Sequence, residues 1–202
     1  MKAKKQNLLI IFIRNPELGK VKTRIAKTVG DEHAFTIYKA LVEVTEKATS
    51  KIKVDKRIYF SDTIVDEKWS NNYKAVQKGA DLGERMSNAF HDGFNDGYAE
   101  IVLIGSDLPK ITKNIINKGF GSLKQKEVVF GPAEDGGYYL VGMSKFHQCI
   151  FENKAWSTSN LLENTLKELK QKKIGVSLIE TLNDIDTFED LQTFPKFLKL
   201  IS

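Results

Sequence analysis

The chain has 202 residues, of which 41% are hydrophobic and 28% charged, with a formal net charge of +5. This is the balance of a soluble globular protein with enough chain for one domain, residues 1–202, to bury its apolar surface without disulfide or metal staples. The one cysteine, Cys149, cannot close an internal disulfide, which excludes a disulfide scaffold and points to the cytoplasm.

The opening "MKAKKQNLLIIFIRN" is basic and then apolar, like a signal peptide. Its apolar run, Leu8–Ile13, is too short, and Arg14-Asn15-Pro16 follows where a small-residue cleavage site would stand. The run also falls far short of the roughly 20 residues of a membrane span, so no stable membrane insertion is expected. It reads as a first strand buried on both faces. Asp31 predicts the cap of a helix from about Glu32 to Ala48, with Phe35, Tyr38, Leu41, Val42 and Thr45 facing inward. Lys56–Phe60 reads as a strand, with a short one near Tyr73–Gln77. Leu82–Phe94 is helical, with Met86, Ala89, Phe90 and Phe94 on one side. Ile101–Gly105 is a buried strand, and Thr112 begins a helix. Glu127–Phe130 and Tyr138–Val141 are strands, Ser157 or Ser159 caps a helix to about Lys172, Val176–Ile179 is a last strand, and Thr187 starts a terminal helix. Strands alternating with helices imply an α/β fold with a mostly parallel sheet covered by helices. Ligands of such sheets bind beyond the carboxyl ends of the strands, where the strand order reverses.

Four loops there carry unusual residues. In "RNPELGKVKTR", residues 14–24, Arg14, Lys20, Lys22 and Arg24 lead into a helix start, an arrangement that suits phosphate oxygens but equally a basic surface loop. It has neither the Walker order nor a dinucleotide fingerprint. In "VLIGSDLPK", residues 102–110, Ser106-Asp107 ends a buried strand; Asp107 suits a hard divalent cation, or an Asx turn. In "NDIDTFEDL", residues 183–191, Asp184 and Asp186 alternate and so point the same way along an extended backbone, while Thr187 and Asp190 suit a capping box. In "KGADLGERM", residues 78–86, Asp81 lies between Gly79 and Gly83 with Arg85 a turn into the helix, which fits a substrate loop or a capped helix start. "GPAEDGGYYLVGM", residues 131–143, places Glu134, Asp135, Gly136 and Gly137 between two strands, either as a plain hairpin or as a floor for a ligand.

The histidines, His33, His91 and His147, have no zinc spacing. The lysines of "KELKQKK", residues 167–173, read as a solvated helix face. A nucleic-acid binder would need a basic face with stacking aromatics, and loop carboxylates would repel a phosphate backbone, so no nucleic-acid partner is expected.

Taken together, "FIRNPELGKVKTRIA", "GADLGERM", "LIGSDLPK", "GPAEDGGYYLVGM", "WSTSNLLENT" and "DIDTFEDL" resemble, in order, a largely uncharacterised bacterial glycosyltransferase A-like family of the nucleotide-diphospho-sugar transferase superfamily. The resemblance implies a GT-A-type three-layer α/β/α sandwich with a mixed, mostly parallel sheet. It implies a Mg²⁺- or Mn²⁺-dependent transferase acting on a nucleotide or sugar-nucleotide substrate, with glycosyl transfer as the first reading. Nucleotidyl transfer, as in guanylyltransferases of the same fold, and non-catalytic nucleotide binding are the alternatives. Sugar-nucleotide transferases of this fold hold the diphosphate through a metal on D-x-D; the corresponding place here is Ser106-Asp107, so only Asp107 carries over. The Gly-rich L-x-G-G loop of the molybdenum-cofactor nucleotidyltransferases is missing.

On this reading Asp107 binds the metal with Asp186 or Asp184. Arg14, Lys20, Lys22 and Arg24 neutralise phosphates, with Ser106, Asp81 and Arg85 as further substrate contacts. Asp135 acts as a second catalytic carboxylate, accepting from a hydroxyl, and Gly136 and Gly137 let a ligand approach the backbone. The expected geometry puts Arg14 and Asp107 at one sheet edge. Asp107 should face Asp186 or Asp184 across a cleft floored by residues 135–137. Homodimerisation is left open.

Overall fold

The computed structural model describes residues 5–201; the basic opening, residues 1–4, lies outside them. β1 (Lys5–Ile13) is an inner strand of a seven-stranded sheet with β2 (Asp55–Phe60), β3 (Tyr73–Val76), β4 (Tyr98–Ile104), β5 (Val128–Pro132), β6 (Tyr138–Met143) and β7 (Val176–Leu178). The strand order is β3-β2-β1-β4-β6-β5-β7. The pairs β1–β2, β1–β4, β2–β3 and β5–β7 are parallel, while β6 runs antiparallel to both β4 and β5.

The unbroken apolar run of β1 is explained by layers on both sides. Leu8, Ile10 and Phe12 point to one face, among Met86 and Phe90 of α3 (Leu82–Asn95) and Leu162 and Leu169 of α5 (Leu161–Gln171). Leu9, Ile11 and Ile13 point to the other, among Tyr38 and Val42 of α2 (Asp31–Ser50) and Ile116 and Phe120 of α4 (Lys113–Leu123). Strand periodicity of two sends alternate residues to opposite cores, and each large side chain so buried is worth about 1.5–3 kcal/mol. A third cluster joins α1 (Thr23–Val29) and α2 to α6 (Phe188–Gln192) and α7 (Pro195–Leu198) through Ile25, Ile37, Leu41, Ile185, Leu191 and Phe197. It draws the 183–187 segment back toward the loop after β1.

Several expected boundaries shift. Asp31 is the first residue of α2, not its cap; Gly30, at φ 84°, holds that place and no side chain caps the end. Asn160, not Ser157 or Ser159, precedes α5. Thr112 and Thr187 cap as expected: Thr112 accepts from the Ile115 amide, and Thr187 with Asp190 closes a reciprocal capping box. β4 begins at Tyr98, three residues before the sequence pattern turns fully apolar.

Candidate active site

β1 and β4 lie side by side and parallel, so the loops after Ile13 and Ile104 leave the same sheet edge, between β2 on one side and β6 on the other. This is the reversal point at which open α/β sheets form their crevices. Tyr38 of α2 ties the two loops together: its hydroxyl donates to the Arg14 carbonyl at 2.7 Å and lies 3.3 Å from Ser106 Oγ. Ser106 is thereby buried and engaged in the scaffold. Asn15, 5% exposed, fixes the rim beyond β2. Its carbonyl oxygen accepts from the Ser61 hydroxyl and the Asp62 and Thr63 amides, and its Nδ2 donates to Thr63 O at 2.7 Å. Gln77 Nε2 donates to the carbonyls of Ile13 and Tyr59, stitching the ends of β1 and β2.

Two chambers open on this edge. The larger, about 740 Å³, is lined by Arg14, Lys22, Arg24, Arg85, Asp62 and Gln77, among others, and reaches Asp186. The smaller, about 270 Å³, has Met86, Tyr138, Trp156 and Leu161 in its walls and Asp135, Gly137 and Asp184 among its lining. Asp107, Gly105, Phe12, Leu82 and Ser157 line both. Asp107 therefore stands where the two meet.

The charges interlock. Lys22 has a left-handed backbone, φ 47°, just before α1. Its ammonium lies 3.0 Å from Asp107 Oδ2, with the Lys22 side chain 5% and that of Asp107 45% exposed. The Lys22 cation holds the Asp107 carboxyl below the usual carboxylate range, against the opposing effect of burial. Burial depresses the Lys22 ammonium, but Asp107, with Asp184 and Asp186 beyond it, raises it above an ordinary lysine. Asp184 behaves oppositely: burial pushes it up to about 6, eased by Lys22 and reinforced by Asp107, Asp135 and Asp186. Arg24 Nη1 donates to Asp186 Oδ2 at 2.8 Å across a largely exposed pair.

Arg14 and Asp107 share an edge and a chamber; Asp184 lines the smaller chamber with Asp107, Asp135 and Gly137, and Asp186 lines the larger one with Asp107. Three of the expected substrate residues lie outside the lining of the two chambers. Lys20 pairs with Glu17 one turn away and lines neither chamber. Asp81 caps α3, accepting from the Glu84 amide, and lies outside both chambers. Gly136, at φ 90°, makes room for protein and not ligand: a Cβ there would stand 1.8 Å from the Ser159 carbonyl oxygen. The 131–143 stretch is a hairpin after all, with Asp135 Oδ1 accepting from the Gly137 amide in an Asx turn, yet its turn also forms part of the smaller chamber. Sequence reasoning missed Asn15, Gln77, Tyr138 and Trp156. The aromatic doublet Tyr138-Tyr139 and a tryptophan, Trp156, beside a run of small polar residues were the available signals.

A family model described as an uncharacterized protein conserved in bacteria (DUF2064) matches residues 45–158, a span that holds Asp107 and the β5–β6 hairpin. A solved structure from Desulfovibrio desulfuricans G20, assigned as a nucleotide-diphospho-sugar transferase, is 31% identical, with a TM-score of 0.87 over 93% of this chain and 85% of that one. The chain belongs to the DUF2064 family. This DUF2064 protein also shares its fold with more distant structures. The 4-diphosphocytidyl-2C-methyl-D-erythritol synthase of Anaerococcus prevotii DSM 20548 is 13% identical, with a TM-score of 0.62 over 96% of this chain and 99% of that one. The inositol-1-phosphate CTP transferase of T. maritima is 15% identical, with a TM-score of 0.56 over 99% and 98%. At that identity the likeness concerns the fold alone. No curated protein matches the chain.

Proposed function

We propose that this DUF2064 protein is a transferase acting on a nucleotide-activated substrate, with the nucleotide in the larger, basic chamber and the second substrate in the smaller one. The observation that carries the reading is Asp107. It stands in the loop just after the buried strand β4, lines both chambers and is held by a buried lysine, where a group transferred between two bound molecules would pass. Arg14 and Arg85, with Arg24 at the rim, supply the positive charge that phosphates require. Lys22 orients Asp107 and offsets its charge instead of standing free for phosphate. Asp135, exposed at the turn, is placed to accept from a hydroxyl of the second substrate.

Glycosyl transfer from a nucleotide-diphospho-sugar is the first reading, supported by the 31%-identical relative. Nucleotidyl transfer is the second, favoured by the single Asp in place of a D-x-D pair and by the cytidylyl-transferring proteins that share the fold.

The donor set suits Mg²⁺ or Mn²⁺. Asp107 and Asp184 would offer carboxylate oxygens from distant loops; Asp107 also accepts from Lys22 and Asp186 from Arg24, while Asp184 makes no hydrogen bond among the described residues. Among the described residues no group of three or more His, Cys, Asp or Glu side chains is placed to hold a metal ion, so protein ligands alone would number at most two. One or two carboxylates completed by substrate phosphates is the usual way of holding Mg²⁺. Such an ion, when bound, would neutralise charge on the phosphate oxygens. A thermal-shift screen of nucleoside triphosphates and sugar nucleotides, with and without Mn²⁺, tests the reading. A nucleotide that stabilises the protein, and does so more with Mn²⁺, is expected. No response from any nucleotide would remove it.

A further inference from the structure

The smaller chamber differs in charge from the larger one. Among the described residues that line it there are three carboxylates, Asp107, Asp135 and Asp184, and no lysine, arginine or histidine. The cation paired with this lining, Lys22, is spent on Asp107, with its side chain 5% exposed and its ammonium 3.0 Å from the carboxylate. Arg24 is engaged with Asp186 and lines only the larger chamber. The walls are apolar: Phe12, Met86, Tyr138 and Trp156 face the space. The Tyr138 ring lies 5.0 Å from that of Phe130, and its hydroxyl is buried without a partner. Trp156 is locked in place by α3, since a Cβ on Gly83 would lie 2.6 Å from its ring.

We infer that the molecule bound in the smaller chamber has an apolar face, carries a hydroxyl or ammonium donor, and bears no phosphate or carboxylate there. An anion entering would lose its hydration beside Asp135 and Asp184, with Lys22 already spent on Asp107 and no other cation in the lining to replace the water. A hydroxyl or ammonium would instead donate to Asp135 or Asp184 while its carbon skeleton covers the aromatic walls; an ammonium would gain from the rings as well. A divalent ion shared by Asp107 and Asp184 would, together with Lys22, offset all three carboxylates, so the discrimination belongs to the metal-free chamber, the state in which it is tested. The role of this molecule as second substrate rests on the transferase reading; the charge preference of the chamber does not.

The chain has two tryptophans, which makes a local readout available. Trp156 lines the chamber, while Trp69 is buried, 5% exposed, with its indole N–H donating to Thr49. The ¹⁵N-labelled full chain, in chelator, is titrated with four probes on one apolar ring: cyclohexanol, cyclohexylammonium, cyclohexanecarboxylate and cyclohexyl phosphate. Cyclohexanol and cyclohexylammonium should shift the Trp156 indole signal saturably and leave Trp69 still. The carboxylate and phosphate should bind at least about tenfold more weakly, the least that close like charges in a partly buried site would impose. Asp135→Asn, which retains the oxygen that accepts from Gly137, should narrow that gap. Binding of either anion as tight as the alcohol, or no Trp156 response to the alcohol and the ammonium, would overturn the inference. Nucleotide binding, read separately in the thermal-shift screen, could fail without touching this result, and this result could fail with nucleotide binding intact.

Discussion

At the scale of single residues, Lys22 and Arg24 are two positions apart in a basic loop, yet their side chains meet different environments. The Lys22 side chain is 5% exposed and serves Asp107; that of Arg24 is 68% exposed and pairs with a half-open Asp186. The sequence suggests that both are surface charges whose loss leaves stability unchanged, because burial is a tertiary property that a run of cations does not reveal. Arg24→Ala should cost less than about 1 kcal/mol in urea unfolding. Lys22→Met should cost more, about 1–3 kcal/mol, because Asp107 loses the partner that compensates its partial burial. Equal, negligible costs would show that the Lys22–Asp107 contact is not structural. Asp107→Asn preserves shape while removing the charge. It should lower turnover of the proposed transferase by roughly a hundredfold or more, at about 1.4 kcal/mol per decade, with circular dichroism unchanged. Wild-type turnover in that variant would exclude Asp107 from the chemistry.

At the scale of elements, local rules were legible where a side chain acts on its own neighbours. The Thr187–Asp190 box and the Thr112 cap follow from spacing alone. Thr187→Ala should destabilise by about 1 kcal/mol. Burial works to raise Asp190, but hydrogen bonds from Thr187 and the Asp186 amide outweigh it and hold its carboxyl below the usual range. A depressed pKa contributes stability above the unfolded value of about 3.9 and loses it as pH falls through the folded one. The stability gap between wild type and Asp190→Asn should therefore be full at neutral pH and shrink below about pH 4. A gap unchanged into strong acid would contradict the assignment. What the sequence does not show is which segments touch across distance. Gly136 looks like a ligand-facing glycine but is pressed by the Ser159 backbone. Gly136→Ala, at φ 90°, should therefore destabilise by more than about 2 kcal/mol, through strain plus collision. A mild effect would restore the ligand reading.

At the scale of the whole molecule, the alternation of apolar runs with amphipathic helices was enough to read an α/β sandwich with β1 inside its sheet, because a strand buried on both faces carries no polar alternation. The same feature hid the direction of β6. Its apolar run is as unbroken as a parallel strand's, and only the short five-residue connection back from β5 betrays the hairpin that inserts it between β4 and β5. Asp107 was legible because it follows a strand, Asp135 because it sits in a turn between two, and Asp184 and Asp186 because they alternate before a helix cap; the division into a basic and an apolar, acidic chamber was not, since the walls come from α3, β6 and the loop before α5. Asp107 as the junction of those chambers is the central claim, and calorimetric titration of the strongest nucleotide from the screen, into wild type and Asp107→Asn, with and without Mn²⁺, tests it most directly. Mn²⁺ should tighten binding by about tenfold or more, 1.4 kcal/mol, in the wild type and by little in the variant. An equal gain from Mn²⁺ in both proteins, or no nucleotide binding to the wild type, would contradict the account.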